Sequence, residues 1–475
     1  MKKWLLIVLL PCCLSFVTYG QDVQRFAERG GLGTARYVGM GGAMTAIGGD
    51  PSAAMDNPAG LGLYRHSEIS ITLDETIDRT QQIGSDDIYQ RTRLTVPQIT
   101  AIWAWGNPKK QTGVIYNNLL FSYNRLQSFN RDIRIQGKDL GLLQTICAKT
   151  NLLPEQDILN LPWDSPEIGW LSILGFETYL IDPIENDLWI PSIQLNTGVL
   201  EVSETGISDQ YTLSWAGNIN NQWYVGASLN VPTISYTKHI SLLEYDNSNS
   251  AELKSMFHAS GIGMSATVGL IARPLECLRI GASMQTPTRL SLSVQTEGDM
   301  YSTINAQSKK LLTPASGVIN MSYASPLRSS ISIAGQWKNI GMLALQYDYA
   351  HAIRDKEAGI SPMLDVHTLR AGLEAQIYNG LYFNAGYIYE STFEQEDPIV
   401  SLDYNSIRTD TDYRYTQSSQ YASAGISYRS NIVVAQLAYQ YGWQTIHQYA
   451  SEEQVLPYDV NTCTHRIVAT LAWRF

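Results

Sequence analysis

Cysteine is scarce and badly placed for cross-linking: five occur in 475 residues, and two of them, Cys12 and Cys13, lie in the first twenty. The other three, Cys147, Cys277 and Cys463, are odd in number and far apart. That spacing excludes a full disulfide framework, and a metal site would want several close Cys/His pairs, so they read as isolated apolar side chains. Charged residues make up only 16% of the chain and the formal net charge is −11, which disfavours nucleic-acid binding. Beyond residue 20 no apolar run reaches the roughly 18 residues of a membrane helix. Phenylalanine is rare, at 9, while tyrosine reaches 28 and tryptophan 11.

The first twenty residues, "MKKWLLIVLLPCCLSFVTYG", combine Lys2 and Lys3 with an apolar stretch from Trp4 to Phe16 and small residues at Thr18 and Gly20. This is the pattern of a secretory signal, with cleavage expected after Gly20. The Cys12-Cys13 pair raises a lipoprotein signal, but Pro11 stands where a small residue should precede the lipidated cysteine. An exported chain rich in tyrosine and tryptophan, with no helical span, is either a soluble β protein or a β-barrel.

Periodicity decides between them. In "THRIVATLAWRF" Ile467, Ala469, Leu471, Trp473 and Phe475 alternate with Arg466, Val468, Thr470, Ala472 and Arg474. "MLALQYDYA" and "NIVVAQLAYQYGW" repeat the pattern through Leu343, Leu345, Tyr347 and Tyr349, and through Val433, Leu437, Tyr439, Tyr441 and Trp443. Runs of about ten residues, apolar on one face with aromatics toward the ends, are the pattern of a transmembrane barrel strand. Strands are expected near 66–77, 95–105, 113–127, 208–219, 223–238, 260–274, 278–294, 316–337, 341–351, 366–377, 381–391, 418–428, 432–444 and 464–475. The prediction is therefore an all-β fold, a 14-stranded antiparallel transmembrane β-barrel.

Connections alternate as such barrels require, with short periplasmic turns and longer external loops. "NPKKQTG" at 107–113, Asn220-Asn221, Asn339-Ile340, "YNG" at 378–380 and "RSN" at 429–431 are the short ones. The longest external loop is expected over 128–207. Within it "LGLLQTICAKTNLL" and "WLSILGFETYLIDPI" suggest short amphipathic helices packed over the barrel mouth. Pro232, Pro287 and Pro326 interrupt strands, marking either local kinks or a wall bent to form a pocket or side opening.

One glycine-rich stretch, "GMGGAMTAIGGDPSAAMDNPAGL" from Gly39 to Leu61, invites a nucleotide-loop reading. It fails: Met44 stands where a dinucleotide fingerprint needs its third glycine, and no Gly-Lys-Ser/Thr closes a phosphate loop. The stretch belongs to a segment preceding the first strand, with ten glycines between Gly30 and Gly62. Such a segment folds tightly in a confined space. A 14-stranded barrel is wider than side chains alone can fill, so this N-terminal piece is expected to be the lumenal stopper. The domain reading is a signal at 1–20, a hatch at 21–64 and a barrel at 65–475.

The residues "ARYVGMGGAMTAIGGDPSAAMDNPAGLGLYRHSEISI" resemble the N-terminal hatch of the FadL/TodX family of outer-membrane transporters, with Asn57-Pro58-Ala59 the closest match. The type is that of Bacteroidetes, some relatives of which are labelled hemin receptors. The resemblance implies passive transport of long-chain fatty acids, aromatic hydrocarbons or similar molecules across the outer membrane of a Gram-negative bacterium. Ligands would pass from external loops to a lumenal pocket and leave through a gap in the wall. It also implies ligand-placing roles for Asn57, Pro58 and Ala59, to which position adds Gly60. The expected partners are a hydrophobic small molecule, outer-membrane lipid, and the barrel assembly machinery acting through the strand that ends at Phe475. No nucleic acid and no cofactor is expected.

Two other readings accompany it. A barrel of this resemblance also serves type IX secretion, binding protein cargo, and heme is a conceivable cargo. The seven histidines, however, include no closely spaced pair. An enzyme would need a histidine beside a serine or carboxylate at the outer rim. His351 with Asp355 and His367 with Asp365 can be drawn so, but they fit no catalytic pattern, and no enzyme is expected.

Overall fold

The structure is a computed structural model that describes residues 25–475 apart from 108, 111, 152, 161–162, 186, 338–339, 353–363 and 395–402. The signal expected over 1–20 and Asp355 lie outside the described residues.

Fourteen antiparallel strands form a closed wall. They are β1 (Glu68–Gln82), β2 (Ile88–Gly106), β3 (Val114–Ser128, continued by Arg131–Lys138), β4 (Thr197–Ile219), β5 (Trp223–Tyr245), β6 (Ser250–Leu275) and β7 (Leu278–Gln285, continued by Arg289–Ile304). The circuit goes on through β8 (Ile319–Ala324, continued by Leu327–Trp337), β9 (Gly341–His351), β10 (Val366–Tyr378), β11 (Leu381–Glu390), β12 (Tyr413–Thr416, continued by Ser419–Arg429), β13 (Val433–Tyr449) and β14 (Tyr458–Arg474). Pairing of β1 with β14, from Glu68 opposite Arg474 to Gln82 opposite Val460, closes the circuit. The tight joint Asn220-Asn221 has φ of 57° and 55°, the left-handed pair that a two-residue hairpin turn needs and that asparagine tolerates.

Outward positions in the lower wall are apolar and exposed, including Ile71, Trp103, Leu213, Trp215, Leu471 and Trp473. Inward positions there are small or polar, such as Gln210, Thr212, Ser214 and Thr470. Higher up, the same strands reverse polarity. Leu200 and Val202 of β4, Ile240 and Leu242 of β5, and Leu253 of β6 are buried inward, while Glu201 and Ser241 face out. The wall leaves the bilayer here and builds a water-soluble core.

That reversal corrects the loop expected over 128–207. Arg131–Lys138 pairs with Thr197–Glu204, so both ends of the stretch are wall, and the connection proper spans only 139–196. It forms a cap with helices α1 (Leu142–Thr150), α2 (Glu155–Ile158) and α3 (Trp170–Glu177), and a hairpin Ile181–Ile184 with Leu188–Pro191. α1 is one-sided, whereas α3 is buried from Trp170 to Gly175, not amphipathic as expected. Leu142, Ile146, Ile173, Leu174 and Trp189 pack with Ile135, Leu200, Leu242, Leu253 and Ile446 of the wall. The barrel mouth is thus closed by a dry apolar core.

Glu244 at the top of β5 is 3% exposed and accepts from the backbone N–H of Leu142 at 3.2 Å, where α1 begins. Burial pushes its carboxyl up to about 7, although backbone N–H groups of Leu142, Gly141 and Leu143 pull it down. A folded-state value above the unfolded 4.5 means that the folded chain holds the extra proton. The stabilisation is complete below the unfolded value and is lost as pH rises through the folded one, a change on the order of 1–3 kcal/mol. Hydrogen exchange in α1, corrected for intrinsic rate, should therefore be faster near pH ~8 than near pH ~5. Glu244→Gln should remove that difference locally. Glu394, also pushed up to about 7 by burial and by Glu28, titrates in the same window but away from α1, so its effect would survive the Glu244 variant.

Candidate functional site

Residues 25–64 lie inside the barrel. Gly41, Gly42, Gly48 and Gly49 all have φ near +60°, which lets the segment reverse direction repeatedly in little space. Asp50 ties its turns together, accepting from Thr34 Oγ1 at 2.8 Å and from the Ser52 backbone N–H at 2.9 Å. Wall side chains hold its backbone: Thr470 Oγ1 accepts from Ala35 N at 2.9 Å and Gln346 Oε1 from Thr45 N at 3.0 Å. Below, Arg36 Nε donates to Glu374 Oε2 at 2.7 Å, and Arg429 donates to the same carboxylate.

Asn57, Pro58, Ala59 and Gly60 come together at one turn, which docks on the wall. Asn57 is 1% exposed; its Nδ2 donates to Thr45 O at 2.8 Å and to Leu270 O of the wall at 3.2 Å. Its Oδ1 accepts from Ala59 N at 3.0 Å, capping the 3-10 turn Pro58–Leu63. None of the four residues lines any of the five cavities described in the protein. The turn sits on two wall glycines, Gly226 of β5 and Gly269 of β6, where any side chain would collide with Pro58, Ala59 or Asn57. Gly281, Gly372 and Gly386 receive Thr45, Met40 and Gly41 in the same way. Glycines at inward strand positions, each able to take a backbone in close approach, were the sequence signal for this docking.

Above this hatch and below the cap lies a chamber of about 350 Å³. Its lining is strongly charged, with Arg25, Glu28 and Arg29 from the hatch, Asp74 and Asp78 from β1, and Arg93 from β2. Arg93 pairs with Asp78, and Arg125 Nε with Asp209 Oδ1 at 3.0 Å. Behind them Glu204 gathers four donors: Arg131 and Arg414 at 2.9 Å, Tyr236 Oη at 3.0 Å and Arg25 at 3.1 Å.

Beside the chamber the wall is unstitched. The ladder between β2 and β3 runs from Gly106 opposite Tyr116 up to Gln98 opposite Asn124 and stops. Above that, among the described residues, Ile88–Pro97 pairs only with β1, and Arg131–Lys138 only with β4. Side chains bridge the space: Arg91 Nη1 to Asp132 at 3.2 Å, Arg93 Nη1 to Asn130 O at 2.7 Å, and Arg134 Nη1 to Tyr89 Oη at 3.1 Å. The N-terminal segment docks at this point, Gly30 N donating to Leu126 O at a bulge in β3 at 2.9 Å. Outside lies a cleft of about 660 Å³ that shares Tyr89 and Asp132 with the chamber.

The three prolines lie elsewhere, at one level across β5 to β8. Pro287 and Pro326 are bracketed by the pairs Gln285–Arg328 and Arg289–Ala324, and Pro232 is bracketed by Asn230–Ser265 and Thr233–Ile262. Hydrogen bonds of 2.9 Å from Thr286 N to Ala266 O and from Ser325 N to Thr288 O keep that line stitched. The histidines drawn as catalytic candidates sit on the outer face. His351 Nδ1 is 3.2 Å from Asp365 and His367 Nδ1 is 2.7 Å from Tyr347 Oη, stacked among tyrosines.

A closed barrel of fourteen antiparallel strands, with an N-terminal segment folded in the lumen and a cap over the mouth, is the architecture of a transmembrane β-barrel with a lumenal hatch. No protein-family model and no curated protein matches the sequence. Solved structures match its fold. One is the CymD monoaromatic hydrocarbon channel, with TM-score 0.52 at 14% identity, over 94% of this chain and 99% of that one. A FadL homologue of Pseudomonas aeruginosa gives 0.52 at 11%, over 93% and 98%. The toluene transporter TodX of Pseudomonas putida gives 0.51 at 12%, over 94% and 99%. At these identities the likeness is one of fold.

Proposed function

We propose that the protein carries hydrophobic small molecules passively across the outer membrane of a Gram-negative bacterium, through the lumenal chamber and the unstitched wall between β2 and β3. The observation that carries this reading is that the two axial routes are filled, by an apolar cap above and a wall-docked hatch below, whereas the lateral one is closed by side chains and the docked N-terminal segment and not by a strand ladder. An apolar solute gains by leaving water for a buried path and then for lipid, so a side route suits it better than an aqueous pore. The hydrocarbon channel and toluene transporter named above share the fold, which agrees with this reading. Within it, Asn57 positions the hatch, and β14, ending at Phe475, engages the assembly machinery.

The test uses full-length protein in lipid vesicles and labelled fatty acid and alkylbenzene as probes. Uptake is expected without an energy source. Cysteines replacing Arg91 and Asp132, joined by a cleavable bifunctional maleimide, should reduce uptake to that of protein-free vesicles, and cleavage of the linker should restore it. Undiminished uptake with the two positions joined would remove the side route. Co-purification of secreted proteins with no probe uptake would favour the protein-cargo reading.

A further inference from the structure

The chamber is more polar than an apolar solute requires, and its charges balance. Seven arginines and five carboxylates line it; behind them Glu204, Asp209 and Glu394 pair with Arg131, Arg125 and Arg414, so that eight face eight among the described residues. Both signs offer surface to a guest: the side chains of Glu28 and Asp78 are 28% and 17% exposed, those of Arg29 and Arg93 24% and 15%. The shell is also unsaturated. Arg25 Nε, Arg131 Nε and Gln127 Oε1 are buried without a hydrogen bond.

Building on the transport reading, we infer that this chamber is a head-group site for a dipolar amphiphile, one bearing a phosphate or carboxylate and an ammonium group together. A singly charged head would exchange its hydration for a chamber with no net opposite charge. A bare hydrocarbon can pass this chamber but finds no group in it that would hold it there. A dipolar head meets both needs, its anion drawing the forks of Arg29 and Arg93 and its cation facing Glu28 and Asp78. The apolar tail leaves through the gap beside Tyr89 and Asp132, the residues common to chamber and outer cleft.

Binding to the full-length protein in nanodiscs tests this, with dodecyl chains below their micellar concentrations carrying phosphocholine, sulfate, trimethylammonium or maltoside heads. The phosphocholine probe should bind about tenfold tighter than each of the others. Glu28→Gln with Asp78→Asn should move the preference to the sulfate, and Arg93→Gln should move it toward trimethylammonium, with heat-modifiability of the barrel confirming assembly. Equal binding of all four heads, or a single-charge preference in the unaltered protein, overturns the inference. Competition by glycerophosphocholine alone at equal concentration supports the dipolar site and assigns it to a soluble solute instead of a lipid. Head discrimination without uptake of apolar probes would sink the transport reading and leave this site standing; uptake without discrimination would do the reverse.

Discussion

Alanine at Gly226 or Gly269 is expected to unseat the hatch while the fourteen-strand wall still assembles. A Cβ at Gly226 would lie 2.5 Å from the Pro58 carbonyl carbon and 2.6 Å from Ala59 N, and one at Gly269 would overlap Asn57 Oδ1. The obstructed atoms at Gly226 are backbone, which cannot swing aside as a flexible side chain does. The strand itself loses nothing, since alanine is less costly than glycine in a ladder. Hydrogen exchange across residues 39–62 should be slow in the unaltered protein, clearly faster for Gly226→Ala, and faster still when both glycines are changed. Gly335→Ala is the control, because its nearest neighbour is Trp337 at 3.8 Å. A silent Gly226→Ala variant with a normal heat-modifiability shift would mean that the hatch is held by other contacts, such as the Arg36–Glu374–Arg429 cluster.

Removal of the Glu204 carboxylate should have the second large effect. Glu204 is 1% exposed and is shared by Arg25 of the hatch, Arg131 of β3 and Arg414 of β12. Glu204→Ala would leave three buried guanidinium groups around an empty space, and breaking a buried pair from one side costs about 3–5 kcal/mol. Hydrogen exchange should rise together at 25–32, at 131–138 and at 413–416, three segments far apart in sequence. Glu204→Gln, which keeps the shape and two acceptor sites but no charge, should give a smaller rise at the same places. If exchange rises only around position 204, the carboxylate is a local partner and does not tie the three segments.

The number and order of strands were legible because lipid enforces an outward apolar face with period two, and Leu471, Trp473, Leu343 and Tyr439 obey it. The upper halves of β4, β5 and β6 were not, because there the bilayer no longer sets the pattern. Leu200 and Leu242 turn apolar surface inward while Glu201 and Ser241 meet water, and a search for one fixed polarity stops short. The Asn57 turn was visible as a special site. Its partners were not, because Leu270 O and Gly226 become neighbours only through register. The side opening was least legible: prolines pointed to β5–β8, where the ladder is restitched by neighbouring donors. The β2–β3 discontinuity is a lack of pairing that no residue type announces. Its one trace is the recurrence of Arg91, Arg93, Arg125, Arg131 and Arg134 on two consecutive strands.

The seam between β1 and β14 also joins the first strand of the chain to the last. Arg474 Nε donates to Glu68 Oε2 across a sequence separation of 406, one of the longest loops the chain can close and so among its slower pairings to find. The hatch precedes β1, yet it is enclosed by the circuit that β14 completes. The last strand thus does two things at once: its ladder with β1 closes the wall, and its Thr470 holds the backbone of Ala35 in the segment that the wall encloses.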